Sequence, residues 1–413
     1  MDNKMVKKIL FVINSLDSGG AEKSLVSLLN ELEQYKHLYE VHLLLPNKSG
    51  LFYSQIPKYV NEIEINEPLF YMANSYGTIL KTRGIKIGLL IKKIIWSCYH
   101  RINKKKNSGV LEQALWRYWS ESLSSLEQEY DIAVGYLNGY PNYFVIDKVN
   151  AKRKMLWVHN EYQKLGYESE YDKWYYEKAD AIATISDECV KDFLTVYPNL
   201  KNKVHMLQNI TSGHLIWRLS EESCHDFERH EGQIIILSIG RLVEQKNFEL
   251  AIDAAKYLKN NYPEFKFVWY IMGKGPLKEI LAKKIVENGL EKQMILMGVR
   301  SNPYPYMRRA DVFVQTSIYE GKSIVLDEAK ILAKPIVTTN YLTVYDSVEN
   351  RCTGLIVEKQ AMAVGEAILE IIHDENIRNE FSQNLRRFKN GNCLEIEKYL
   401  GVMLGDELED IKS

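Results

Sequence analysis

Cysteine is scarce in this chain, and the few cysteines present form no metal-binding or disulfide framework. The sequence of 413 residues has five of them, and no pair stands in CxxC spacing. An odd number of scattered thiols is typical of a reducing compartment, and their spacing gives no zinc signature. The five are Cys98, Cys189, Cys224, Cys352 and Cys393.

Long apolar runs are also absent. No stretch of about 18 uncharged apolar residues occurs, so we predict no transmembrane helix. The N-terminal run "KKILFVIN" (7–14) is too short for the core of a signal peptide and predicts a buried strand instead. A formal net charge of -1 argues against nucleic acid as the main partner.

Acidic residues are missing from one segment, residues 68–111, although its part 81–106 holds nine Lys or Arg. Apolar residues recur at i, i+3, i+4 spacing over 87–102, which predicts a basic amphipathic helix. Such a helix fits an anionic membrane surface. The alternative is a helix packed on the core with a solvated basic face. The residues expected to meet the membrane are Lys92, Lys93, Trp96, Lys104, Lys105 and Lys106.

Short apolar runs alternate with helix-length amphipathic stretches through both halves of the chain. Runs such as "EVHLLLP" and "QIIILSIG" are nearly continuous in Val, Ile and Leu, which indicates strands buried on both faces of a parallel sheet. Two consecutive units of this kind predict an α/β fold with two Rossmann-like, doubly wound domains facing a cleft, where a ligand would bind.

A polar stretch without clear periodicity, "TSGHLIWRLSEESCHDFERHEG" (211–232), interrupts this rhythm and suggests the domain boundary. We predict an N-terminal domain over 1–211, a linker over 212–232 and a C-terminal domain over 233–390. Residues 391–413 are expected to form a helix that packs back on the N-terminal domain.

A glycine pair follows the first predicted strand in "NSLDSGGAEKSL" (14–25). Gly19 and Gly20 would let the backbone approach a ligand, and a helix N-terminus offers free N–H groups to an anion. The pattern is not GxGxxG, so a dinucleotide fingerprint is absent. A plain strand-to-helix turn is the alternative.

Two cations occupy the equivalent loop of the second domain, in "SIGRLVEQKN" (238–247). Open α/β sheets bind ligands at this end of a strand. Arg241 can grip phosphate oxygens bidentately and Lys246 acts as a point charge, so together they suit a diphosphate. Two solvated surface cations are the alternative.

Two acids bracket a glycine turn and a predicted helix in "EGKSIVLDE" (320–328). Glu320 ends a strand, and Ser323 is expected to cap a helix that begins near Ile324 and offers N–H groups to an anion. Glu328 lies in register with apolar residues, so it should be buried with a partner such as a ligand hydroxyl. The general preference for acids in a first helical turn is the weaker alternative.

A histidine ends a strand in "WVHN" (157–160). A lone histidine in this position is more often structural than functional, and His159 is a candidate on position alone.

Together these motifs resemble glycosyltransferase family 4, in its capsule and lipid-linked glycan branch. "EGKSIVLDEA" is similar to the E-x7-E signature, "SIGRLVEQKN" to the GR…K element and "GGAEKSL" to the N-terminal loop. "IMGKGPLKE" (271–279) resembles the G-x-G-P segment and "TGLIV" (353–357) the C-terminal G-L-x-V strand. The match spans nearly the whole second domain and is thinner in the first.

The resemblance implies the GT-B fold and a retaining hexosyltransferase that uses a nucleotide-diphosphate sugar without a metal or other cofactor. The chain has no Asp-x-Asp in a strand-to-loop position, which agrees. By resemblance, Arg241 and Lys246 neutralise the leaving diphosphate, a main lever in glycosyl transfer. Glu320 would contact donor-sugar hydroxyls and Glu328 the ribose hydroxyls.

The same resemblance places His159 beside the donor sugar, and Gly19 and Gly20 over the phosphates. Lys322 and Ser323 stand where the family often has an apolar residue and Pro. Lys322 is therefore expected to read an acidic or acylated sugar, or to add to the diphosphate site. The remaining donor-binding positions are Gly240, Gly273, Gly321, Ser323 and Ile324.

The leading prediction is a cytoplasmic glycosyltransferase of bacterial capsule, O-antigen or related surface-glycan synthesis, held peripherally at the inner leaflet of the membrane. A UDP-sugar is the favoured donor and a lipid-linked or growing polysaccharide the acceptor. Two alternatives stay open. One is a nucleotide-sugar epimerase of the same shape, which would need no membrane helix. The other is a non-catalytic partner that keeps the fold to bind a subunit or glycan.

Overall fold

The computed structural model describes residues 6–17, 19–82, 84–224, 226–227, 229–320 and 323–405. The chain forms two compact units. Unit 1 is Met1–Ile210 with Leu394–Ser413, and unit 2 is Thr211–Cys393.

Unit 1 is built on a parallel sheet, seven-stranded within the described residues, in the order β3-β2-β1-β4-β5-β6-β7. Residues 9–12 of its central strand are fully buried, because apolar side chains point to both covered faces. The strands are β1 Lys7–Val12, β2 Tyr39–Leu44, β3 Asn61–Glu62, β4 Glu129–Gly135, β5 Asn150–Val158, β6 Ala181–Thr184 and β7 Val204–Met206.

The helices up to residue 210 connect these strands. They are α1 Gly20–Leu32, α2 Glu67–Ala73, α3 Tyr76–Ile79, α4 Ile87–Ile102, α5 Ser108–Trp119, α6 Tyr140–Lys148, α7 Tyr162–Leu165, α8 Ser169–Lys178 and α9 Asp187–Val196.

Unit 2 repeats the plan with a parallel sheet that has six strands in the described part of the chain, in the order β10-β9-β8-β11-β12-β13. Its strands are β8 Ile234–Ile239, β9 Phe267–Met272, β10 Met294–Gly298, β11 Val312–Gln315, β12 Ile336–Thr339 and β13 Gly354–Val357. Its helices are α10 Gly213–Ser220, α11 Phe248–Asn261, α12 Lys278–Glu287, α13 Tyr304–Arg309, α14 Ile324–Ile331, α15 Ala361–His373 and α16 Glu375–Leu385. The predicted α/β class with two Rossmann-like units is confirmed.

The predicted linker over 212–232 is wrong in its first half, because Gly213–Ser220 is helical. Ser212 caps this helix by accepting a hydrogen bond from the Leu215 N–H at 3.1 Å. Leu215, Ile216 and Leu219 are buried, and α10 packs against α13 and α14. The apolar face is short, and the polar residues around it hid its period.

The last helix, α17 Glu395–Leu404, belongs to unit 1 and contacts α1 and β5. The hydroxyl of the fully buried Tyr399 donates to the carbonyl of Gln208 at 2.9 Å. Helix α17 is therefore part of the first unit's core.

Candidate functional site

The carboxyl ends of β8 and β11 lie side by side at the point where the strand order of unit 2 reverses. Doubly wound sheets bind ligands in the crevice at this switch point. Lys246 follows β8 and Glu320 follows β11. The fold thus brings together two motifs of the second domain that are distant in the sequence, Lys246 and Glu320 being 74 residues apart.

Glu320 is surrounded by donors. The ammonium of Lys246 contacts its Oε1, and the side chains of the pair are only 14% and 7% exposed. Ser317 donates to the same oxygen at 2.6 Å, and Gln245 donates to Oε2 at 3.2 Å. These contacts hold the carboxyl group of Glu320 in one position.

Arg241, the second predicted phosphate ligand, lies in the same loop as Lys246. Its side chain is exposed and makes no hydrogen bond to the described residues. An exposed guanidinium can bind an incoming anion directly.

Two glycines bring the backbone of this loop against the neighbouring strand. Gly273 has φ of +150°, and a Cβ added there would lie 1.8 Å from the carbonyl oxygen of Gly240. Gly240 in turn packs against the side chain of Lys246, with a Cβ position 3.3 Å from Cδ. Any side chain at Gly273 would push the Lys246 loop out of place.

Ser323 precedes α14, which begins at Ile324 as predicted, but its side chain caps none of the helix N–H groups. The predicted cap is wrong because Gln315, at the end of β11, donates from Nε2 to Ser323 Oγ at 2.7 Å. The first N–H groups of α14 keep their capacity to bind an anion.

Glu328 is 2% exposed, as its register with apolar residues predicted. A protein group accompanies it, since the Tyr304 hydroxyl donates to Oε1 at 3.3 Å. Gly321 and Lys322 lie outside the described residues.

Several residues of this site were missed from the sequence: Gln245, Tyr304, Gln315, Ser317 and Tyr341. Gln315 had a usable signal, because a glutamine that ends the apolar run "ADVFVQ" needs a polar partner when buried. Ser317 contacts Glu320 three residues further on, within the same loop. Gln245, Tyr304 and Tyr341 act through contacts between distant segments, which no local pattern predicts.

In unit 1, Gly19 and Gly20 open α1 at the carboxyl end of β1. A Cβ at Gly19 would lie 2.0 Å from Oε2 of Glu22, so a carboxylate already lies at this turn. Burial raises the pKa of Glu22, and the nearby Asp17 adds to the rise. An anionic ligand at this turn would meet the Glu22 carboxyl group.

His159 lies just beyond β5 and is 5% exposed. Its ring stacks on Trp157, with centroids 5.2 Å apart, and Nε2 donates to the carbonyl of Tyr136 at 3.0 Å. Burial lowers the pKa of His159 to about 3. The imidazole is neutral near neutral pH, with Nδ1 as its acceptor nitrogen.

The helix α4 differs in part from the predicted membrane face. Lys93 is buried, its Nζ donates to the carbonyl of Tyr71 at 2.7 Å, and burial lowers its pKa. Lys92 contacts Ser122 and lies over the rings of Tyr118 and Trp119.

The assignment of these two lysines to the membrane face was wrong, because the ammonium groups of both contact other residues of unit 1. Trp96 is half-buried and stacks on Tyr118 at 5.8 Å, so it too packs inward.

An apolar stripe nevertheless remains exposed on the outer side of α4. Its five isoleucines are 46–82% exposed, and Lys104, Lys105 and Lys106 beyond the helix are exposed as well. We call these isoleucines the α4 stripe. They are Ile87, Ile91, Ile94, Ile95 and Ile102.

The described part of the chain contains neither a membrane-spanning helix nor a cluster of metal ligands. No helix there is long and apolar enough to span a bilayer. Among the same residues, no group of three or more His, Cys, Asp or Glu is placed to hold a metal ion.

Comparison with known families gives one match. Residues 220–388 match the family described as glycosyl transferases group 1. This segment holds all the site residues of unit 2 described above.

Individual relatives cover more of the chain. An N-acetylgalactosaminyltransferase of Campylobacter jejuni, named for an acceptor that is a diphospho-undecaprenol glycan, is 28% identical over 81% of this chain and 81% of its own. An uncharacterized glycosyltransferase of Methanocaldococcus jannaschii is 26% identical over 61% of this chain and 70% of its own.

Among solved structures, Anabaena HepE in complex with UDP and glucose aligns with a TM-score of 0.59. The alignment has 16% identity and covers 96% of this chain and 99% of that one. At this identity the likeness shows the fold alone, which is that of the GT-B glycosyltransferases.

Proposed function

We propose that the protein is a retaining glycosyltransferase that moves a sugar from a nucleotide-diphosphate sugar to a glycan acceptor. The observation that carries the proposal is the contact of Lys246 with Glu320 at the switch point of unit 2, beside the uncapped N-terminus of α14. The positive groups could bind an anion and the carboxylate of Glu320 could bind hydroxyls, and they lie close enough for one ligand to contact both.

Each group has a chemical role in this reaction. Breaking the bond between the sugar and the diphosphate leaves a dianion and an oxocarbenium-like sugar. Lys246, Arg241 and the N–H groups of α14 stabilise the dianion, which lowers the barrier because these charges are already in place. Glu320 accepts hydrogen bonds from the hydroxyls of the donor sugar, and Glu328 binds the ribose.

The donor is a UDP-sugar and no metal is required. HepE, which shares the fold, binds UDP. In this proposal the lysine, the arginine and the helix N-terminus supply the positive charge that a divalent ion supplies in other enzymes.

The acceptor is a lipid-linked glycan of capsule, O-antigen or related synthesis, reached from the cytoplasmic face of the membrane. The α4 stripe and the exposed lysines beyond it support this, since apolar and basic groups side by side suit an anionic bilayer. The name of the Campylobacter jejuni relative, which includes diphospho-undecaprenol, supports it also.

The test is an incubation of the full chain with a panel of UDP- and GDP-sugars and an undecaprenyl-diphosphate glycan, with and without a chelator. We expect an elongated lipid, detected by mass spectrometry, in chelator as well as without it. Lys246→Met is the inactive control. A new sugar epimer formed without acceptor would identify an epimerase, and strict dependence on manganese would contradict the metal-free proposal.

A further inference from the structure

A buried glutamine connects two loops of the unit 2 site. Gln315 is 5% exposed, and the Tyr341 hydroxyl donates to its Oε1 at 2.9 Å. Burial and the charge of Glu320 raise the pKa of Tyr341, so the phenol stays protonated and keeps donating. The amide is thereby oriented with Nε2 toward Ser323.

This orientation determines what Ser323 can do. Its Oγ accepts from Gln315 at 2.7 Å, and it makes no bond to the N–H groups of α14. A hydroxyl that accepts one hydrogen bond still has its own proton to donate. In the described part of the chain, no acceptor for that proton is present.

The surroundings of Ser323 favour an anion as the missing acceptor. The helix it precedes has an N-terminus that the Ser323 side chain does not cap, and a helix N-terminus carries partial positive charge. Lys246 contacts the carboxylate of Glu320. Gln315 Nε2 lies 3.5 Å from Oε1 of the same carboxylate. A phosphate oxygen at the helix N-terminus would accept a hydrogen bond from the Ser323 hydroxyl.

We propose that Ser323 donates a hydrogen bond to the diphosphate of the donor, and that Gln315, held by Tyr341, is the positioning residue that aims it. The inference rests on the proposed function and adds a donor supplied by a side chain to those from Lys246, Arg241 and the helix backbone. Gln315 itself touches no ligand in this proposal, and its effect on the diphosphate passes through the serine.

A double-mutant cycle tests the coupling. Affinities of the full chain for UDP and for uridine are measured by calorimetry in wild type, Ser323→Ala, Gln315→Met and the double variant. We expect each single variant to lose about tenfold in UDP affinity, the size of one hydrogen bond to a charged group, with uridine unchanged. The double variant should bind UDP no more weakly than Ser323→Ala.

Two further variants keep the test decisive. Ser323→Thr retains the hydroxyl and should restore most of the UDP affinity, which a merely structural serine would not require. If Gln315→Met does not fold, Tyr341→Phe replaces it in the cycle, because loss of the phenol lets the amide turn over.

Several outcomes would overturn the inference. Unchanged UDP affinity in Ser323→Ala would remove the serine as a ligand, and additive losses in the double variant would detach Gln315 from it. Equal losses for uridine and UDP would indicate a general distortion of the site. A wild-type protein that binds no nucleotide and transfers no sugar would instead refute the proposed function itself.

Discussion

Lys246 and Glu320 form a direct ion pair across the carboxyl ends of two neighbouring strands, and both side chains are largely withdrawn from water. Removing one partner of such a pair leaves an uncompensated charge, whereas removing both need not destabilise the fold. The pair is therefore a structural element of the site as well as a part of its proposed chemistry.

The first prediction concerns stability. Lys246→Met should lower the free energy of unfolding by about 3 kcal/mol, and the double variant Lys246→Met/Glu320→Gln should recover most of this loss. Urea unfolding measures both. Lys283→Met is the matched control, because Lys283 pairs with Glu287 at 3.5 Å on the surface and should change stability by less than about 1 kcal/mol. Equal losses in the single and double variants would argue against a coupled pair.

The second prediction concerns turnover. Arg241→Ala should reduce kcat about a hundredfold, because it removes a charge that stabilises the leaving diphosphate. The exposed guanidinium makes no hydrogen bond to the described residues, so thermal unfolding should be unaffected. Glu328→Gln should raise KM for the nucleotide sugar more than it lowers kcat. Wild-type kinetics in Arg241→Ala would exclude this residue from the diphosphate site.

The third prediction concerns the membrane. Replacing Ile87, Ile91 and Ile95 by Gln should release the protein from anionic liposomes in a sedimentation assay, since each buried isoleucine contributes about 1.5–3 kcal/mol. Replacing the three lysines at 104–106 by Gln should weaken binding by about 1 kcal/mol per residue and reduce its salt dependence.

The control for the membrane experiment is Ile280→Gln with Val286→Gln, which removes apolar side chains on α12 that are 54% and 59% exposed. This variant should sediment with liposomes like wild type. If the α4 stripe variant also does so, the stripe is not the anchor.

The fourth prediction concerns pH. The pKa of His159 in the folded chain, about 3, lies below its ordinary value of 6.5. The unfolded chain therefore binds more protons between these values, and the free energy of unfolding falls as the pH drops through this window. The contribution is at most about 1.4 kcal/mol per pH unit. His159→Gln keeps a donor for the Tyr136 carbonyl and should remove this part of the pH dependence, measured as the difference between wild type and variant in urea unfolding. Parallel pH profiles would contradict the assignment.

The sequence predicted the fold closely where the signal is local. The first strand of each unit, β1 and β8, lies within the predicted apolar runs "KKILFVIN" and "QIIILSIG", because strands buried on both faces are nearly continuous in Val, Ile and Leu. β3 was missed, since Asn61–Glu62 is two residues long, exposed and at the sheet edge.

Side-chain partners were less predictable. Ser323 has the position and the chemistry of a helix cap. Its hydroxyl oxygen nevertheless accepts a hydrogen bond from Gln315, which lies on a different element of the fold. Lys93 belongs to a basic segment in which every lysine resembles its neighbours, and only the carbonyl of Tyr71, supplied by α2, identifies it as buried. Such pairings depend on the packing of distant segments and not on local pattern.

The ion pair at the switch point also bears on the kinetics of association. Because Glu320 neutralises Lys246, the long-range field felt by an approaching dianion comes more from the exposed Arg241 than from the lysine. Arg241 should then govern the rate of encounter and its dependence on ionic strength. Lys246 must exchange the carboxylate of Glu320 for the diphosphate of the nucleotide. It should therefore govern how long the nucleotide stays bound.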